Sequence, residues 1–322
     1  MTSKERILKA IRHEEPDRVP LNVWLYRDDV AVKIVERYGS VDAFFDEFGI
    51  DMYTIFAPLP SVIAPDDCVD RKRPLRPDEL DKVEFNDPMD DALYEPVWQA
   101  VRKYGIEKQR AVFCQIGAVF EGTSGYVGIE SHLLGMATHR EELARFYRRL
   151  AEWLCVQAEK VISLGIDVLH ISDDWGQNDR MLFSPTDWWE LVYPNDKMIV
   201  DVGKRLGVPV SLHSDGYITD VLDGVVKMGV DVLHPVQESA GMDQATVKER
   251  YGDRLTIYGG LDITHFLPFA EEQDLVLHVK NRMDKLKPGG GFIFCTAHSV
   301  QPEVTLDRLE LAYRTALEHG KY

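Results

Sequence analysis

The chain has 322 residues, 45% of them hydrophobic and 28% charged, which supplies enough apolar material for a large globular core. A net charge of −17 argues against nucleic acid or an anionic membrane surface as a partner, although a local arginine or lysine can still hold a small anion. Four scattered cysteines (Cys68, Cys114, Cys155, Cys295) argue against a disulfide scaffold. No apolar leader opens the chain and no run is long enough to span a bilayer, so a cytoplasmic protein is expected.

Thr2-Ser3-Lys4-Glu5 fits a capping box, and Ile7, Leu8 and Ile11 continue it as an amphipathic helix over 2–13. Pro16 and Asp17 stop that helix, and a first strand is expected from Val19 to Tyr26. Helices around 30–38 and 41–48 lead to a second strand, Asp51–Ala57. The stretch 58–91 is irregular and rich in proline and charge. Long loops in compact domains are usually functional or mobile, so it is a lid candidate, with a surface insertion as the alternative. Pro96 is placed to start a helix carrying Val97, Trp98 and Val101.

Beyond it the alternation becomes regular. A strand over 111–121 precedes a long helix over 140–164, whose Leu143, Phe146, Leu150, Trp153 and Val161 share one face and whose C-terminus Gly165 caps. A strand over 167–174 ends in two acids, and a helix over 185–206 carries Pro194 as an expected kink or break. Next come a strand over 209–215, a helix near 218–228 and a strand over 230–237. Asp243 is set to cap a helix ending at Gly252, and a strand over 255–262 and a helix over 271–286 follow. Gly289-Gly290-Gly291 turns into a strand over 292–297, and a helix over 305–319 closes the series. The triple glycine precedes a strand, so it is not a nucleotide loop.

Eight strands alternating with helices predict an α/β protein, a single-domain (β/α)8 TIM barrel over 1–322. An open doubly wound sheet is the alternative, but it lacks its Gly-rich phosphate turn here. In such a barrel the active site lies at the C-terminal strand ends. Those ends read Glu121, Asp173 with Asp174, His213 with Asp215, Gln237, Asp262 and His298. So many polar tips behind apolar strand bodies point to an enzyme.

The period-two geometry of a strand sends His213 and Asp215 to one side. With His298 they form a two-imidazole, one-carboxylate set suited to zinc or another divalent ion with an open position. Glu121 is a fourth ligand or a base, and His298 could instead bind substrate without metal. Asp173 and Asp174 diverge, one toward the site and the other toward the helix beyond. Glu121, Asp173 and Asp174 are the catalytic candidates. Cys295 is expected to be buried behind the site. Trp24 and Trp175 could wall a ring-shaped substrate, with core packing as the commoner use of tryptophan. Gln237 and Asp262 are substrate-binding candidates, as is Arg27 after the first strand.

Several motifs resemble the uroporphyrinogen decarboxylase superfamily, and more closely its corrinoid-linked methyltransferase branch. They are Lys4-Glu5-Arg6-Ile7 with Asp17-Arg18-Val19-Pro20, Asp173-Asp174-Trp175-Gly176, Ser184-Pro185, His213-Ser214-Asp215-Gly216, Gly289-Gly290-Gly291-Phe292 and Ala297-His298-Ser299-Val300-Gln301-Pro302. The decarboxylases resemble one another in an arginine-bearing first loop, a second-loop aspartate and a late histidine. Here the first loop reads Leu25-Tyr26-Arg27-Asp28-Asp29, the second reads Thr54-Ile55-Phe56-Ala57 with no carboxylate, and His298 matches the histidine.

In the thiol-methylating branch a His-x-Cys pair and a later cysteine hold zinc. This chain keeps His213, with Asp215 and His298 in place of the two cysteines. Such harder donors leave a metal more electrophilic, which suits action on an oxygen. The resemblance therefore implies demethylation of an ether or methoxylated aromatic compound, with the methyl passing to a separate corrinoid protein. Two alternatives stand beside it: a decarboxylase acting on a smaller substrate, and a non-catalytic barrel that binds a tetrapyrrole or corrinoid. A small-molecule substrate and a corrinoid protein are the expected partners, with a homodimer left open.

Overall fold

The structure is a computed structural model that describes residues 1–63 and 73–322. Cys68 and the centre of the 58–91 stretch lie outside the described residues. In chain order the strands are β1 (Met52–Phe56), β2 (Val62–Ile63), β3 (Glu84–Phe85), β4 (Ala111–Gly117), β5 (Val168–Ser172), β6 (Val210–His213), β7 (Val232–His234), β8 (Thr256–Leu261) and β9 (Phe292–Thr296). β2 and β3 pair with each other antiparallel, and the other seven form the main sheet. Helices separate these seven, as a parallel arrangement requires. No described helix is long and apolar enough to cross a membrane.

The chain divides into two compact units. The first comprises residues 1–53, 104–111 and 231–322. Its opening helix, Ser3–Ile11, has the expected capping box, with Glu5 N donating to Thr2 Oγ1 and Thr2 N donating to Glu5. Within this unit β7, β8 and β9 pair parallel in sequence.

The first expected strand, 19–26, does not form a regular ladder. Leu21 makes a single parallel bridge to Phe294, flanked by hydrogen bonds from Phe294 N to Pro20 O and from Asn22 N to Phe294 O. The reason lies on both sides of that bridge. Pro20 has no N–H to offer, and the Leu21 N–H goes to the Asp51 carboxylate instead of to a strand. The segment fills a strand's place beside β9 with apolar side chains, since Val19, Leu21 and Val23 are buried.

The second unit comprises residues 54–103 and 112–230. Here β4, β5 and β6 pair parallel. The helix Arg140–Ser163 buries the expected stripe, and Gly165 closes it with a positive φ of 94°. Described parts of 58–91 pack on that helix: Trp153 Nε1 donates to Asn86 O at 2.6 Å, and Arg145 pairs with Asp81 at 2.6 Å. Pro194 does not break its helix. The chain widens to a π turn over Trp188–Val192 and resumes as Tyr193–Arg205, absorbing the missing N–H. A further helix, Ile129–Thr138, was not expected from the sequence.

Candidate active site

The polar tips of β4, β5 and β6 meet within the second unit. β4 ends at Gly117, so Glu121 is not on the strand but in the first turn of the helix Val119–Val127. What starts that helix is Asp173, just past β5. Its carboxylate is fully buried and accepts from Glu121 N at 2.6 Å, Phe120 N at 3.3 Å and Trp175 Nε1 at 2.6 Å. Asp196 lies against it and accepts from Val119 N at 3.3 Å. Burial pushes both carboxyls up, Asp173 far and Asp196 to about 7. Asp196 adds to the rise at Asp173, and together the two carboxyls accept the N–H groups of Val119, Phe120 and Glu121, which builds the helix start that positions Glu121.

Asp174 points the other way, as adjacent residues past a strand end do. Its carboxylate accepts from Asp215 N at 2.8 Å and lies 3.6 Å from His213 Nε2. Asp215 approaches the same nitrogen at 3.8 Å. Glu121 Oε2 accepts from Ser172 Oγ at 2.7 Å. Burial and then the neighbouring Asp174 hold the Glu121 carboxyl above its ordinary value. Asp215 is raised to about 6 by burial; His213 opposes the rise, while Asp174 and Glu121 add to it. Two acids thus flank one imidazole, and Glu121 lies close enough to both acids to act on them.

Two glycines make this possible. A Cβ on Gly176 would sit 2.5 Å from Asp215 O, and one on Gly216, at φ 78°, would sit 2.6 Å from Gly176 C. The Asp-Asp-Trp-Gly and His-Ser-Asp-Gly turns therefore touch backbone to backbone, with Tyr217 N donating to Gln177 O at 2.7 Å. Sequence reasoning missed His170, which lies on β5 behind His213 with its ring centroid 6.2 Å away. Its Nδ1 hydrogen-bonds Ser211 Oγ at 2.8 Å, and burial keeps it neutral. The signal was its alternation with Ser172 along β5, two residues apart on one side.

Several other candidates fare differently. Trp175 has no exposed surface, its indole being spent on Asp173 and on Trp188 at 5.3 Å, so it does not wall an open cleft. In the first unit Trp24 is likewise buried, stacked on His234 at 4.2 Å with its Nε1 donating to Tyr258 Oη at 2.7 Å. His298 is half-buried just beyond β9, its ring 5.6 Å from that of Trp24. Asp262 Oδ1 accepts from Thr264, His265 and Phe266 N–H groups, closing a turn. Gln237 donates to Ser239 Oγ at 3.0 Å, and the exposed Arg27 pairs with Asp29 at 3.2 Å. Cys295 is buried as expected, and its thiol is pushed up by that burial.

Donor chemistry decides which metals fit. An imidazole nitrogen with carboxylate oxygens converging on it suits zinc or another borderline-to-hard divalent ion.

The family description "Uroporphyrinogen decarboxylase (URO-D)" matches residues 28–319. A uroporphyrinogen decarboxylase of Trichodesmium erythraeum is 25% identical over 97% of this chain and 95% of its own. A methyltransferase from Methanosarcina mazei superposes with a TM-score of 0.71 at 15% identity, covering 99% of each chain. A B12-independent methionine synthase from Shewanella sp. W3-18-1 gives 0.55 at 10% identity, over 95% of this chain and 93% of that one. These full-length likenesses bear out the α/β TIM-barrel fold class.

Proposed function

The chain belongs to the uroporphyrinogen decarboxylase family, and from that membership we propose a metal-dependent methyltransferase that demethylates an ether or methoxylated aromatic compound. The methyl group passes to a corrinoid carried by a separate protein. One observation carries the reading: Asp174 and Asp215 both approach His213 Nε2, at 3.6 and 3.8 Å. His213, Asp215 and His298 would hold the ion. A bound zinc would supply Lewis acidity toward the substrate oxygen. The chain's own residues supply the rest. Glu121, held protonated more readily than an ordinary carboxyl and anchored through Oε2 to Ser172, gives its proton to the oxygen that loses the methyl. Ser172 and the Asp173–Asp196 pair keep that carboxyl in place.

The name of the methyltransferase neighbour supports the reaction class, while the curated relatives' names support a decarboxylase. Two features weigh against porphyrinogen decarboxylation. Arg27, the first-loop arginine, is engaged by Asp29, and β1 with its end, Thr54-Ile55-Phe56-Ala57, offers no carboxylate to pyrrole nitrogens. A decarboxylase on a smaller substrate is the second reading.

The test combines metal analysis with turnover. Purified protein should carry about one zinc per chain. Chelation should abolish demethylation of a methoxybenzene series in the presence of a corrinoid protein, and zinc should restore it. Carbon dioxide release from a carboxylated substrate, unaffected by chelation, would replace this reading with the second one.

A further inference from the structure

The helix Val119–Val127 that carries Glu121 also begins a chain of three side chains, Ser124, His132 and Tyr147. Ser124 Oγ is 2.7 Å from His132 Nδ1, and His132 Nε2 hydrogen-bonds the Tyr147 hydroxyl. His132 and Tyr147 are both fully buried, and the imidazole stacks on Phe120 with centroids 4.6 Å apart. Burial lowers His132 to about 3, so it is neutral and carries a single N–H.

The hydrogen-bond polarity follows from counting donors. Tyr147 keeps its phenolic hydrogen, because burial pushes its pKa well up. Among the described residues His132 Nε2 is the acceptor that hydrogen meets, and leaving it unmade would incur the full desolvation penalty. Nε2 therefore accepts, and the imidazole hydrogen sits on Nδ1 and is donated to Ser124 Oγ. The Ser124 hydrogen is left to point elsewhere.

Its surroundings say where. Ser124 is half-buried and lies three residues after Glu121, on the same side of the helix. The next residue, Gly125, is exposed, and a Cβ added there would meet nothing within 4 Å. Gly122, by contrast, faces Leu150, where an added Cβ would lie at 3.2 Å. Glu121, Ser124 and Gly125 thus border open space.

We propose that Ser124, its polarity set by the Tyr147–His132 relay, donates a hydrogen bond to an uncharged oxygen acceptor of the substrate, with Gly125 leaving room for the group that bears it. An uncharged acceptor is specified because Glu121 on the same face and Asp174 beside it disfavour an anion. The placement rests on reading the surroundings of Glu121 as the substrate site.

Nitrogen-15 NMR of histidine-labelled protein tests the relay without any ligand, the His132 signal being assigned by its loss in His132→Gln. A proton on Nδ1 is expected; a proton on Nε2 would commit the Ser124 hydrogen to His132 and overturn the proposal. Binding is then measured by NMR titration with N,N-dimethylformamide, methoxybenzene and benzoate. Ser124→Ala should weaken the two neutral probes roughly 3- to 10-fold and leave benzoate unchanged. Gly125→Leu, which adds a side chain into open space, should weaken them too and guards against a folding defect in Ser124→Ala. Equal binding by wild type and both variants, or no binding of either neutral probe to wild type, would overturn the assignment. Binding of dimethylformamide but not of methoxybenzene would leave Ser124 as the donor and sink the methoxy-substrate reading alone.

Discussion

Two carboxylate clusters, one in each unit, use the same residue type to opposite ends. In the first unit Asp51 is fully buried yet saturated with partners. Arg6 pairs with it at 2.5 Å, Arg18 at 2.7 Å, and Leu21 N donates to it at 2.9 Å. In the second unit the charges that act on Asp215 are one imidazole and two further acids. The first cluster is neutralised by permanent cations and ties Arg6 and Arg18 to the turn before β1. The second leaves Asp215 and Glu121 above their ordinary pKa, where a proton or a divalent ion is the natural complement. A buried acid signals function by what faces it, permanent cations in one cluster and an imidazole with further acids in the other, not merely because it is buried.

Breaking the compensated cluster should have the largest effect on stability. Asp51→Ala leaves Arg6 buried without its second carboxylate, and urea unfolding should show a loss of about 3–5 kcal/mol. A loss below about 1 kcal/mol would show that the Asp51 cluster is not held together by its ion pairs.

Asp173→Ala comes next. It orphans the Phe120 and Glu121 N–H groups and the Trp175 indole, so a loss of about 2–3 kcal/mol is expected. Because Glu121 then loses its anchor, turnover should fall with stability. Full turnover in a destabilised Asp173→Ala protein would separate the helix start from the site.

The third effect is a pH dependence. Asp196 is raised from an ordinary 3.8 to about 7 on folding, so the native state binds more protons than the unfolded one. Its contribution is neutral below the unfolded value and turns increasingly destabilising as pH rises through the folded one. Stability should therefore decline between about pH 4 and pH 7. Asp196→Asn, which removes that proton uptake, should flatten the decline in thermal unfolding across this window. An unchanged slope would mean that the Asp173–Asp196 pair is not the group that titrates.

Much of this was legible in the sequence. Helix–strand alternation located all seven parallel strands, since apolar runs bounded by Pro, Gly and acids carry that signal locally. The Thr2 capping box, the Gly165 cap and the Asp243 cap were equally local and appear where expected. What sequence could not supply was anything set by a distant partner. Glu121 was read as a strand end because nothing nearby says that Asp173, 52 residues later, starts a helix there. The 19–26 segment looked like a strand because the destination of the Leu21 N–H is a carboxylate at position 51. Trp175 looked available for substrate because its consumption by Asp173 and Trp188 is a packing outcome. His132 and Tyr147 gave no signal at all, since their pairing joins two separate helices.

The central claim is that Asp215 completes a metal site rather than a turn, and metal content measured beside the methyl-transfer rate in Asp215→Ala and Asp215→Cys tests it most directly. Wild type should hold about one divalent ion per chain. Asp215→Cys should keep the ion, because a thiolate on the same side as His213 is a legitimate ligand, but should transfer methyl more slowly as the metal becomes a weaker Lewis acid. Asp215→Ala should lose most of the metal and the activity together. Wild-type metal content and rate in Asp215→Ala would contradict the account.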